Sequence, residues 1–317
     1  MSRQSSFRLP RPARGPAAAL MAATLTTALA LAGCGAGDSP SGAQLLVTQD
    51  FGARPVADLA QPKVGASATV LSLLEGNLKV IVAGGRVRSV NGIAAGGGSG
   101  WYPFVNGVGA KKGLLTQDVR GRDRVWWDRH PFAAATRIQA VVGSFPAPFV
   151  AGVKDGKKLP VRVECQPSDI PACQTVQDAM TAAGVFAAKG GLQQSFTKET
   201  LRIVVGPYVQ IRDDETVKTL EDGPRVSGVF ARPAADARSI AILDAAGRTT
   251  RTLGPGDGLI AATRLDDGQP VWIVTGVDAA GVKAAASALD EGNLRGHFAF
   301  AVVDGRAVGV PEVRATP

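Results

Sequence analysis

The 317-residue sequence predicts an α+β fold with more strand than helix. Apolar runs of about four to eight residues end at Gly, Asn-Gly or Pro, the punctuation of strands joined by tight turns. Few windows are helical in spacing or Ala-rich, with 68–78 and 279–289 the clearest. Composition agrees: 39 Gly and 20 Pro against 5% aromatic residues favour turns and cores filled by small Ala and Val side chains.

The chain opens with Arg3, Arg8, Arg11 and Arg14, no acid, and an apolar run over 17–31. A charged start, a short apolar run and small residues at a cleavage site make a signal peptide, assigned to 1–33. The run is too short and too rich in Ala and Thr for a membrane-spanning helix. Leu31-Ala32-Gly33-Cys34 resembles the lipobox of bacterial lipoproteins, which implies cleavage before Cys34 and lipidation of its thiol. Residues 34–43 then form a flexible tether. The implied address is the extracytoplasmic face of the cell membrane.

A first unit is expected over 44–132. Residues 44–51 read as a strand, and 68–78 as a short helix with Val70, Leu71, Leu74 and Leu78 on one side. Residues 80–93 read as strands turning at Gly84-Gly85 and Asn91-Gly92, since Asn-Gly accepts the positive φ of a hairpin turn. A glycine-rich loop over 96–100 leads to a strand over 101–108, turning at Asn106-Gly107, and 125–128 closes the unit. Trp126 and Trp127 are adjacent on that strand, so they point to opposite faces and one is expected to be exposed.

A second unit, an α/β domain with a mixed sheet, is expected over 136–310. Its expected strands are 138–142, 160–164, 201–211, 225–232, 239–243, 258–263, 271–275 and 297–303. Its expected helices are 174–188 and 279–289, the latter capped by Asp278. A loose tail follows.

Net charge is +8; removing the four signal arginines leaves 31 basic against 27 acidic residues, or +4. No dense basic block or nucleic-acid module accompanies it, so nucleic acid is not an expected partner. Of three cysteines, Cys34 is assigned to lipid. Cys165 and Cys173 remain as a disulfide pair, with no His or further Cys nearby to complete a metal shell.

Within 44–130, spaced motifs carry a likeness. They are Val47-Thr48-Gln49-Asp50-Phe51-Gly52, Ala68-Thr69-Val70-Leu71 with Leu74, Val87-x-Ser89-Val90-Asn91-Gly92, Trp101-Tyr102-Pro103-Phe104-Val105-Asn106-Gly107, and Gly121-Arg122-Asp123-Arg124-Val125-Trp126-Trp127-Asp128. This stretch resembles the transcobalamin C-terminal-like domain, a β-grasp-type unit, and the chain from 144 onward looks similar to companion segments of actinobacterial lipoproteins. The resemblance implies a corrinoid or related planar ligand, with Trp101, Tyr102, Phe104, Asn106, Trp126 and Trp127 as candidate contacts. The helical barrel that covers the other face of the ring in animal carriers is absent from this sequence, and Pro103 and Arg122 depart from the family pattern.

Catalytic chemistry finds little footing. His130 and His297 are the two histidines; His130 precedes a proline and is expected to be solvated, while His297 opens an apolar strand. No Gly-x-Ser-x-Gly elbow, His-Glu-x-x-His or phosphate loop occurs. Gly254-Pro255-Gly256-Asp257-Gly258 reads as a turn, and Asp213-Asp214-Glu215 as a solvated acidic knot. Thr275 and Asp278 stand at a strand's carboxyl end, where open sheets bind ligands. The expectation is a non-enzymatic, lipid-anchored binding protein without a resident cofactor or metal, which delivers its ligand to a membrane importer. The competing expectation is a structural or adaptor lipoprotein that docks other envelope proteins.

Overall fold

In the computed structural model, residues 42–65, 67–109, 113–153, 156–168, 170–192, 199–266 and 268–313 are described. The expected signal peptide (1–33), the expected lipidation site Cys34 and the expected tether up to residue 41 lie outside the described residues. The architecture is α+β, dominated by sheets.

Chain order begins with β1 (Gln44–Gln49), β2 (Arg54–Leu59), α1 (Val70–Asn77), β3 (Val80–Ala83), β4 (Arg86–Val90) and β5 (Ile93–Ala94). It continues with β6 (Ser99–Val105), β7 (Val108–Gly109) and β8 (Arg124–Pro131). The main sheet of this half has the order β2-β1-β8-β6-β7, with β1 and β8 parallel and the other pairs antiparallel. β3, β4 and β5 form a small separate sheet. α1 starts where a capping box forms, the Thr69 and Ser72 side chains each satisfying the other's backbone amide. Both expected Asn-Gly turns occur, with φ of 48° at Asn91 and Asn106.

Strand alternation decides the burial of this sheet. Leu45, Val47, Trp101, Val105, Val125 and Trp127 face α1 in one buried cluster. Phe104 and Trp126 point the other way, into a cluster that also holds Ile240, Ile273 and Phe298 from the second half. Both faces are therefore covered. The expectation of one exposed tryptophan fails for this reason, since Trp126 and Trp127 are each only 1% exposed.

The second half contains α2 (Ala147–Val150), β9 (Val161–Cys165), α3 (Pro171–Ala182), β10 (Ala187–Gly191), β11 (Leu201–Pro207), α4 (Tyr208–Ile211), α5 (Glu215–Lys218) and α6 (Pro224–Ser227). Then come β12 (Ala231–Pro233), β13 (Ile240–Leu243), β14 (Thr249–Leu253), β15 (Gly258–Thr263), β16 (Val271–Gly276), α7 (Ala279–Ser287), α8 (Glu291–Leu294), β17 (Ala299–Val303) and β18 (Arg306–Val310). A seven-stranded mixed sheet runs β10-β9-β11-β16-β15-β17-β18, parallel from β10 to β16 and antiparallel beyond. α3 and α7 cover one face around Trp272, Val274 and Phe300. The other face shares its cluster with β12, β13, β14 and the first sheet.

Several element boundaries differ from the sequence expectation. Residues 138–142 form no strand, only a single bridge from Ala140 to Val108. Pro171, suited to a helix's first turn, starts α3 earlier than 174, and Gly184 at φ 74° ends it, freeing Ala187 to pair as β10. The 201–211 run ends as a strand at Pro207, and the 225–232 run splits between α6 and β12. β2 contains Pro55 and lies at a sheet edge, the place where a strand tolerates proline. Asp214 is buried rather than solvated, because it caps α5 and pairs with buried Arg202 at 2.5 Å.

Candidate functional site

The outer edge of β6 pairs with β7 only at Phe104 and Val105. Along its open part lies a groove of about 960 Å³. Trp101, Tyr102, Pro103 and Trp127 line it from the main sheet, and Arg86, Val87 and Arg88 from β4. Gly96, Gly98, Leu114, Phe132 and Thr136 complete the walls. The volume lies within the range of small-molecule sites, about 300–1,000 Å³.

The groove's polar groups have defined surroundings. Trp101 Nε1 donates to the Ile93 carbonyl at 3.1 Å, which fixes the indole beside the β4–β5 turn. The Trp127 indole nitrogen is buried and without a hydrogen-bond partner among the described residues. Burial pushes the Tyr102 phenol up, with the Arg86 guanidinium opposing, so Tyr102 remains a hydrogen-bond donor at neutral pH. Arg88 Nε donates to the Ala83 carbonyl at 3.2 Å, and Arg86 and Arg88 are both exposed. The arrangement offers aromatic faces, positive charge and a glycine-rich margin.

A second cavity of about 200 Å³ shares Tyr102 and Thr136 with the groove and is closed by Phe104, His130, Arg137 and Ile138. His130 was expected to be solvated; the structure places it 3% exposed, because alternation on β8 turns Trp126, Asp128 and His130 to the face covered by the second half. His130 stacks with Phe51 at 4.8 Å and Tyr102 at 4.7 Å, and meets Phe298 edge-on at 5.3 Å.

His130 Nδ1 donates to Asp128 Oδ1 at 2.8 Å. Asp128 is fully buried and accepts three further bonds: Phe51 N at 3.1 Å, Gly52 N at 3.0 Å and Thr48 Oγ1 at 2.5 Å. Thr48 Oγ1 in turn accepts from Trp126 Nε1 at 2.8 Å. Asp50, Phe51 and Gly52 all adopt positive φ, and this turn aims two successive amides at the carboxylate. Gly52 is required there, since a Cβ would meet the Gly296 carbonyl oxygen at 1.7 Å.

The sequence-predicted residues thus divide. Trp101, Tyr102 and Trp127 line the groove, and Tyr102 and Phe104 the cavity. Trp126 is a core residue tied to Thr48. Asn106 is buried at its turn, donating to Asp123 Oδ1 and the Gly152 carbonyl, both at 2.7 Å. Thr275 donates to the Gly206 carbonyl, and Asp278 accepts from Gly281 and Gly256 amides, so both serve the fold. Arg86, Arg88, Thr136 and Arg137 were not singled out by sequence reasoning, because exposed arginines and a loop threonine carry no motif. The 128/130 alternation was legible, but its covering layer was not.

Cys165 and Cys173 form the expected disulfide, with Cα atoms 6.0 Å apart. Among the described residues, no cluster of His, Cys, Asp and Glu could hold a metal ion, and no helix is long and apolar enough to cross a membrane. No family model, curated protein or solved structure matches the chain.

Proposed function

We propose that this chain is a lipid-anchored extracytoplasmic binding protein, tethered through Cys34, that holds a corrinoid or similar planar small molecule for delivery to a membrane importer. The groove beside β6 is the observation that carries the reading: its volume suits a small ligand, and Trp101, Tyr102 and Arg86 supply ring faces and charge. The parallel β1–β8 pair, the antiparallel β1–β2 hairpin and the position of α1 between β2 and the later strands support a β-grasp-type unit over 44–132. The tether adds effective concentration at the membrane, where an importer would receive the ligand. No step of this role needs a reacting group, so the protein is read as a non-enzyme.

Titration with cobinamide or cobalamin, followed by tryptophan fluorescence, tests the reading. Saturable quenching is expected, weakened by Tyr102→Ala and Arg86→Ala. A flat trace with both ligands contradicts it.

The adaptor reading draws on a different observation. Phe186 is 89% exposed beside β10, the edge strand of the seven-stranded sheet, and Ile81 on β3 is 55% exposed. Exposed apolar side chains at strand edges suit protein contacts. Cross-linking in the native envelope tests it; capture of one defined protein partner through Phe186 is the expected result.

A further inference from the structure

β3 carries apolar side chains that the fold leaves uncovered. It is the edge strand of its small sheet, whose order is β3-β4-β5. Ile81 is 55% exposed and its neighbour Val82 37%, with Ala83, Gly84 and Gly85 exposed beyond them. Successive strand residues point to opposite faces, so exposure of both means that the tip of the β3–β4 hairpin stands clear on either side. Val80, Val87 and Val90 anchor its base in the cluster around α1.

Positive charge surrounds this tip. Lys79, Arg86 and Arg88 are exposed, and none forms an ion pair among the described residues. The Arg88 guanidinium stays at the turn: its Nε donates to the Ala83 carbonyl, and its Nη2 lies 3.6 Å from where a Cβ on Gly84 would stand. The sequence extends the pattern. Between Glu75 and Asp118 it has no acidic residue, while Lys79, Arg86, Arg88, Lys111 and Lys112 are basic. The excess of basic over acidic residues after residue 33 therefore resides in this stretch.

We propose that the β3–β4 hairpin is a membrane-contact element, with Ile81 and Val82 entering the headgroup layer of an anionic bilayer and Lys79, Arg86 and Arg88 facing its lipid phosphates. Buried apolar area and attraction to anionic lipid are the two terms that hold proteins on such surfaces, and the hairpin supplies both. A protein groove would also cover the apolar pair. The collar of one sign, unbroken by any acid, matches a continuous anionic surface better than a protein rim of mixed charge. Lys79, Ile81 and Val82 do not line the groove beside β6, so the inference borrows from the tethered reading only the nearness of a bilayer.

Residues 37–317 form one compact unit, so a chain of 35–317, without the lipidation site, tests the hairpin apart from any anchor. Vesicles of equal phosphatidylglycerol and phosphatidylcholine should carry this protein in flotation, and vesicles of phosphatidylcholine alone should not. Rising salt should weaken the binding. Lys79→Gln is expected to weaken it about fivefold, the share of one basic residue near the surface. Ile81→Ser is expected to weaken it about tenfold, the low end for burying an isoleucine. Both positions are exposed, and both variants should keep the wild-type unfolding midpoint. Absence of flotation with the anionic vesicles overturns the proposal. So does equal flotation with neutral vesicles, or binding by both variants like that of the wild type. In the full chain within native envelopes, Ile81→benzoylphenylalanine should photolabel lipid; a protein adduct in its place overturns the proposal and assigns the hairpin to the adaptor reading. A failed corrinoid titration leaves these results untouched, and absence of vesicle binding leaves the groove reading standing.

Discussion

Asp128 shows how a single side chain can organise a junction. Its carboxylate accepts from Thr48, Phe51, Gly52 and His130 without solvent access, so removing it leaves several buried donors unpaired. Asp128→Ala is expected to cost about 3 kcal/mol of stability. Urea unfolding with an unchanged m-value checks this. His297 acts in the opposite sense at acid pH. Burial holds its imidazole below the usual histidine range, so the folded state favours the neutral form. Its contribution is present above the unfolded value and lost as pH falls through the lower folded value. Wild-type stability should therefore decline with acidification more steeply than that of His297→Gln, as read from denaturation midpoints at pH 7 and below. Neither role was legible from the residues alone. His130 followed an arginine and preceded a proline, which reads as a solvated segment until the layer covering that face is known.

At the scale of elements, local signals worked where the chain marks its own turns. Asn91-Gly92 and Asn106-Gly107 placed two turns, and Asp278 capped α7 by accepting from Gly281 at 2.8 Å. Prediction failed where tertiary context chose between strand and helix. Residues 208–211 and 224–227 carry strand-like composition yet form single helical turns, beginning after Pro207 and at Pro224. β2 stayed hidden because Pro55 and Asp58 read as loop until an edge position makes both acceptable. The disulfide ties the end of β9 to the first turn of α3 across a sequence separation of 8. Closing so short a loop predicts a loss of about 2.5 kcal/mol on replacing both cysteines with alanine. Thermal unfolding under oxidising conditions measures it, and faster amide exchange should localise to α3.

For the molecule as a whole, the decisive feature is that both faces of the first sheet are buried. α1 covers one face, and the cluster around Phe298 covers the other. Ion pairs reinforce the junction: Arg124 with Glu291 at 2.6 Å, and Arg295 with Asp58 at 2.5 Å. Gly52 packs at the same junction, and Gly52→Ala must displace the Gly296 backbone as well as adopt an unfavourable φ. A loss of about 2 kcal/mol or more is expected from such strain, and calorimetry will report it. β7 pairs with β6 only at Phe104 and Val105, and the groove lies beside the part of β6 left unpaired on that side. The sequence carried the aromatic residues of that groove, but not the arginines opposite them or the adjoining cavity. Native mass spectrometry of residues 35–317, purified from the native host, tests the central claim most directly. A co-purifying small molecule, displaced by Tyr102→Ala, is the predicted result. A bare mass that remains bare after incubation with cobalamin and cobinamide would contradict it.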